Sequence, residues 1–209
     1  MKRLWILCFA LAVAAATGLA ADGRLFYSRE FPGSTPPYIQ LTLTKGGDAE
    51  YKEAIDDELP IKFKLDAQST QTMWGLAEKL DFFKHPIESP AKVAFMGKKT
   101  FKVENGDPKS QVQYNYSDSK DAQALQEWFE KMAQSAQLHI DLERTVKYDR
   151  LGVVKSLMIL ESAIQDDRVV GLEQYLPLLD RIIANENFMH TARARASEIA
   201  EAIRAVKPQ

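Results

Sequence analysis

The stretch YIQLTLTKGGDAEYKE, residues 38–53, decides the fold. Ile39, Leu41 and Leu43 alternate with Gln40, Thr42 and Thr44. Successive side chains of a strand point to opposite faces, so this is a strand with one apolar and one wet side. Lys45-Gly46-Gly47-Asp48 supplies a tight turn, and a short strand over Glu50–Glu53 follows it. A sheet that is oily on one face only is antiparallel and covered on that face alone.

The same pattern recurs outward from this hairpin. Ile61, Phe63 and Leu65 alternate with Lys62 and Lys64. Phe101 and Val103 alternate with Lys102 and Glu104, and Asn105-Gly106-Asp107-Pro108 turns the chain into Val112, Tyr114 and Tyr116 against Gln111, Gln113 and Asn115. Two helices should cover the apolar face. One starts at Ser69, with Met73, Leu76, Ala77, Leu80 and Phe83 at spacings of three and four, and stops before Pro86. The other is long: Ser119 caps it, and Ala122, Leu125, Phe129, Met132, Ala136 and Ile140 form its stripe. After Tyr148 strand signals vanish and three helices follow, marked by Leu151 to Ile164, Leu172 to Ile183 and Met189 to Ile203. Short breaks at 165–167 and 185–187 make them antiparallel neighbours. The class is therefore α+β, a one-sided antiparallel sheet covered by helices over residues 22–147. Residues 148–209 form a C-terminal antiparallel helical array, a hairpin extension packed on the long helix.

Residues 1–21 read as a signal peptide. Met1, Lys2 and Arg3 are followed by the uncharged stretch Leu4 to Ala16 and then by small residues, with Gly18 and Ala20 suiting cleavage before Ala21. The only cysteine, Cys8, leaves with this segment, so the mature chain is cysteine-free and forms no disulfide. An exported chain of this size without disulfides fits a bacterial envelope better than an animal extracellular space. Export places the protein in the periplasm or outside the cell, with membrane contact only through the signal segment before cleavage. Loss of Lys2 and Arg3 takes the formal charge from −2 to −4, which gives no electrostatic reason to expect nucleic acid as a partner. With 45% hydrophobic and 10% aromatic residues the remainder is ordinarily globular and needs no metal for stability.

Two resemblances follow from particular residues. Arg29 to Tyr38 running into a strand, the Gly47 to Tyr51 turn and strand, and Asp81-Phe82-Phe83 closing the first helix resemble an uncharacterised family of exported bacterial domains. In that family a Cys-Pro pair precedes the tyrosine corresponding to Tyr38, whereas this chain has Ser34-Thr35-Pro36-Pro37. The resemblance implies export and no particular activity. Leu176-Pro177-Leu178-Leu179, then Asn187-Phe188-Met189 and Ala192-Arg193-Ala194-Arg195-Ala196, are similar to a single HEAT-type helical repeat. A lone repeat cannot bury its own face, so these helices should pack on the end of the long helix.

Chemistry-bearing patterns are sparse. No nucleophile elbow, phosphate-binding loop or dinucleotide turn occurs, and no cofactor is expected. His139 and Glu143, four apart on the long helix, project side by side, but two ligands fall short of the three or four that zinc requires. His85 reads as a helix-end cation and His190 as a half-buried packing residue. Asp56-Asp57-Glu58 and Asp166-Asp167 read as solvated turns or caps, the latter before a helix, and Arg193, Arg195 and Arg204 with Glu198 and Glu201 as a solvated outer face. Asn115-Tyr116-Ser117 matches the glycosylation sequon by coincidence at a strand end. The most unusual segment is Phe31-Pro32-Gly33-Ser34-Thr35-Pro36-Pro37-Tyr38. Three prolines stiffen its backbone and two aromatics flank it, which makes Phe31, Pro32, Pro36, Pro37 and Tyr38 a candidate partner-binding loop. The competing reading is a rigid lead-in to the strand.

The expectation is an exported, non-enzymatic binding or interaction module of the bacterial envelope, with another envelope or secreted protein as partner. The alternative is a metal-independent hydrolase of polysaccharide or peptide, using carboxylates gathered from distant segments. Mass spectrometry of the protein from an envelope fraction should find an N-terminus at Ala21 or Asp22. Intact chain beginning at Met1 and resisting membrane extraction would contradict the export reading.

Overall fold

Strand β2 (Tyr38–Thr44) turns through Lys45–Gly47 into β3 (Asp48–Lys52), setting Leu41 opposite Tyr51 and Leu43 opposite Ala49. The structure, a computed structural model, describes residues 23–104 and 110–205. The signal segment at 1–21 and the turn at 105–108 lie outside the described residues. With β1 (Arg24–Glu30), β4 (Ile61–Lys64), β5 (Lys98–Glu104) and β6 (Gln111–Tyr114), the strands form one antiparallel sheet in the order β4-β3-β2-β1-β5-β6. The fold is α+β, with helices α1 (Ala67–Lys79) and α2 (Lys120–Tyr148) packed against the sheet.

The central strand, β1, is the element the sequence hides. Leu25 and Tyr27 are fully buried and face the helices, but Phe26 on the other face makes three apolar residues in a row. Arg29 then places a charge on the same face as Tyr27, so the period-two pattern fails twice in seven residues. α1 begins two residues before Ser69, because Asp66 is the cap, its carboxylate accepting from Ser69 N at 2.8 Å. It also ends early, at Lys79. The chain then reverses through a turn at Asp81–Phe83 in which all three φ angles are positive (46, 48 and 66°), and Phe83 enters the core stacked on Phe101 at 5.2 Å.

α2 is 29 residues long, about 43 Å at 1.5 Å per residue, which exceeds what one small core can cover. Ser119 caps it as expected, accepting from Ala122 N. Ala122, Leu125, Phe129, Met132 and Ala136 are buried against the sheet, Phe129 stacking on Tyr27 at 5.0 Å. Further along, Leu142 and Val146 belong to a second apolar cluster built with α3 (Val153–Gln165), α4 (Leu176–Ala184) and α5 (His190–Ala205). The apolar interior thus divides within α2.

The two clusters meet at Ser135, which is fully buried. Its hydroxyl accepts the Val170 N–H at 2.8 Å, and its carbonyl accepts the Tyr175 hydroxyl at 2.7 Å. The connection from α3 to α4 is thereby pinned to the middle of α2. Gly171, at φ +62°, lets that connection press on β4, since a Cβ there would stand 2.9 Å from the Phe63 ring and 3.0 Å from the Lys64 carbonyl.

Ser135→Ala leaves the Val170 N–H buried without an acceptor, and should cost about 1–3 kcal/mol in urea unfolding. A loss below about 0.5 kcal/mol would show that the joint contributes nothing.

Candidate functional site

The proline-rich segment is the connection between β1 and β2, with Glu30 opposite Tyr38. It is closed by its own backbone: Phe31 N–H donates to the Pro37 carbonyl at 2.8 Å and Ser34 N–H to the Phe31 carbonyl at 2.9 Å. The Ser34 hydroxyl lies 2.8 and 2.7 Å from the carbonyls of Phe31 and Pro36, and the Thr35–Pro36 peptide is cis. Pro32 and Pro37 are exposed, Pro36 is half-buried, and Tyr38 donates to the Gln40 amide oxygen at 2.9 Å.

Phe31 is also half-buried, because a second segment meets it. Its ring packs edge-on against Phe95 at 6.1 Å between centroids. Gly97, at φ +95°, makes this approach possible, since a Cβ there would stand 3.0 Å from that of Phe31. Phe95, Met96 and Val93 are 60%, 51% and 41% exposed. Phe95 borders a depression of about 440 Å³ also lined by Pro32, Gln113, Tyr114 and the paired Glu30 and Lys98. Asn115 fastens this segment to the end of β6, accepting from Met96 N–H at 2.6 Å and donating to the Ala94 carbonyl at 3.0 Å. That is a structural use of the sequon asparagine.

A larger cleft, about 970 Å³, opens at the seam between sheet and helical array. Its floor is Trp74 from α1, Trp128 from α2, Val169, Val170 and Leu172 from the α3–α4 connection, and Ile203 from α5. Trp74 is oriented by its indole N–H, which donates to the Thr44 carbonyl at 3.3 Å, and Lys45 Nζ stands 5.2 Å from its ring centroid. Sequence reasoning missed this site because five separate parts of the chain supply it. The one available signal was that both tryptophans of residues 23–205 fall on the helices that cover the sheet.

A third polar group lies between sheet and α2. Glu130 accepts from the Tyr27 hydroxyl and from Arg29 Nη1, each at 2.7 Å, and Lys99 stands opposite Arg29 across the strands. Lys99 is 4% exposed and donates to the Asn115 carbonyl at 2.6 Å. Burial lowers its pKa and raises that of Tyr27, the latter helped by Glu130. Glu130 and Arg29 pair with each other and fasten α2 to β1, while the Lys99 ammonium donates to the backbone carbonyls of Met96 and Asn115 and fastens β5 to the chain beyond β6.

The remaining sequence candidates stay apart. His139 is half-buried beside Tyr175, with ring centroids 6.0 Å apart, and its Nδ1 is buried with no hydrogen-bond partner. Burial pushes its pKa below 6.5, opposed by nearby Glu143. Among the described residues no group of three His, Cys, Asp or Glu side chains is placed to hold a metal ion. His85 is exposed and pairs with Asp81 at 3.2 Å, while His190, expected to be half-buried, opens α5 and is exposed. Asp56, Asp57 and Glu58 sit in the β3–β4 turn, Asp57 accepting from Leu59 N–H at 3.0 Å. Asp166 and Asp167 end α3 rather than open α4, because a four-residue connection intervenes before the next helical turn at Leu172; Asp167 pairs with Lys131 at 2.8 Å. Two of the arginines read as a solvated face also tie α5 to its neighbours, Arg195 to Glu161 and Arg204 to Asp180.

No helix among the described residues is long and apolar enough to cross a membrane. Compared with protein-family models, curated proteins and solved structures, the chain matches none.

The lowered pKa of His139 fixes the sign of a pH effect. The unfolded state takes up the proton near pH 6.5 and the folded state only below that, so stability falls as pH drops through this window. Measured by urea unfolding, the stability of the parent relative to His139→Asn should shrink between pH 7 and pH 5. Parallel pH profiles would show that His139 titrates normally.

Proposed function

We propose that the protein is an exported binding module of the bacterial envelope, engaging another envelope or secreted protein through the surface shared by loop 31–38 and segment 93–96. The observation that carries this reading is the Phe31–Phe95 contact. It brings together two segments distant in sequence, and Phe95 and its chain neighbour Met96 are more than half exposed. Exposed apolar groups that cluster beside a depression are a mark of interaction surfaces, and aromatic side chains contribute most to binding there. The loop is closed by its own hydrogen bonds and stiffened by prolines, so little backbone entropy remains to be lost on docking. The outer sheet face, carrying Gln40, Thr42, Lys62, Lys64, Lys102, Gln111 and Gln113, is the weaker surface. Its long polar side chains lose rotamer freedom when immobilised, and its aromatic and arginine are already engaged, Phe26 by Lys102 Nζ at 5.9 Å from its ring and Arg24 by Glu104 at 2.9 Å.

Export enters from the charge and hydropathy order of residues 1–21. The test is a pull-down from envelope extract with Phe95→Asp and, separately, Lys62→Ala with Lys102→Ala, each first shown to keep the parental circular dichroism spectrum. Phe95→Asp should lower recovery of the partner by about ten-fold or more, the size expected for an aromatic anchor, with the lysine variant unchanged. Loss with the lysine variant and retention with Phe95→Asp would move the function to the wet face of the sheet.

A further inference from the structure

We propose that the cleft between Trp74 and Trp128 binds a single-chain anionic amphiphile of the fatty-acid class, its acyl chain on the apolar floor and its carboxylate at the Lys45 rim. The inference rests on a site separate from the 31–38 surface and does not depend on it.

Size comes first. A cavity of about 970 Å³ stands at the upper end of the range of about 300–1,000 Å³ that small-molecule sites occupy. It remains open although its walls come from both apolar clusters. The floor is then informative about what fits. Val169, Val170, Leu172 and Ile203 offer no side-chain hydrogen-bonding group, and the indole N–H of Trp74 is already engaged by the Thr44 carbonyl. Gln68, Ser69, Thr70 and Gln71 also line the cleft, on its α1 wall, where the Ser69 and Thr70 hydroxyls both donate to Asp66; the floor itself presents apolar side chains and indole rings. A polyhydroxylated sugar would leave its hydroxyls without side-chain partners there, whereas an acyl chain brings none to satisfy.

Charge selects the head group. Two of the three acids lining the cleft are already committed: Asp66 accepts from Ser69 N and Oγ at 2.8 and 2.6 Å, and Asp167 pairs with Lys131 at 2.8 Å. Glu173 belongs to the other wall, the connection that carries Val169 to Leu172. On the wall made by the β2–β3 turn, β4 and the start of α1, Lys45 and Lys64 have no carboxylate within 4.0 Å among the described residues. Lys45 Nζ is held over the edge of the apolar floor by the Trp74 ring. On this wall the two lysines outnumber Asp66, and a net cation beside an apolar trough is the complement of a carboxylate on a chain.

The probe is an ω-brominated dodecanoate, whose bromine quenches nearby indoles. The full chain carries Trp5→Phe, so that only Trp74 and Trp128 report, and is used in whatever processed form the cell leaves it. Quenching should saturate well below the micelle concentration. Unbrominated dodecanoate should reverse it, while dodecyltrimethylammonium and a chitin hexasaccharide should not. Lys45→Glu, an exposed change, should weaken binding about five-fold or more, and Lys62→Glu on the outer sheet face should leave it unchanged. Quenching that never saturates, reversal by the cationic detergent or the hexasaccharide, or equal binding by Lys45→Glu would each overturn the proposal.

Discussion

One helix serves two cores, and the rest of the molecule depends on that. α2 turns Leu125, Phe129 and Met132 to the sheet and Leu142 and Val146 to the helical array, with Ser135 between them. The sheet has no other long cover, since α1 contributes only thirteen residues. The α3–α4 connection reaches back to the middle of α2, where Val170 and Tyr175 are fixed on Ser135 and Asp167 pairs with Lys131. Magnitudes show what holds the array. The surface pairs Arg195–Glu161 and Arg204–Asp180 contribute about 0–1 kcal/mol each. Each large apolar side chain buried in the second cluster contributes about 1.5–3 kcal/mol, so burial dominates and the ion pairs set orientation.

Both proposed binding surfaces follow from this arrangement. The cleft exists because the α3–α4 connection must run from the array to Ser135 while Gly171 presses it on β4, which leaves a trough between the connection and the two tryptophans. The 31–38 surface lies at the β1–β2 turn and needs only the sheet to support it. A small ligand and a protein partner would therefore meet the molecule at different places. The polar group around Glu130 sits under β1 and fastens the strand that both surfaces share through their neighbours.

Much of this was legible in the chain. Ile39, Leu41 and Leu43 determine β2 because each faces one core without exception, and the stripe from Ala122 to Ala136 determines α2 for the same reason. β1 was not legible as a strand because Arg29 stands on the core side, where Glu130 neutralises it from 101 residues away. His190 reads as half-buried from Met189 beside it, whereas it stands exposed as the first residue of α5. Phe31 was legible as an anchor but not as the partner of Phe95. The two-indole cleft left almost no trace, because a trough between elements is a property of their packing and of no segment by itself.

Coupling through α2 is open to direct measurement by hydrogen exchange of the full chain in increasing denaturant, followed by mass spectrometry of peptides from β1 and from α5. If Ser135 and the shared helix join the two cores into one cooperative unit, the most protected amides of Arg24–Glu30 and of His190–Ala205 should open with the same free energy and the same denaturant dependence. Opening of α5 at a clearly lower free energy, with β1 still protected, would contradict it.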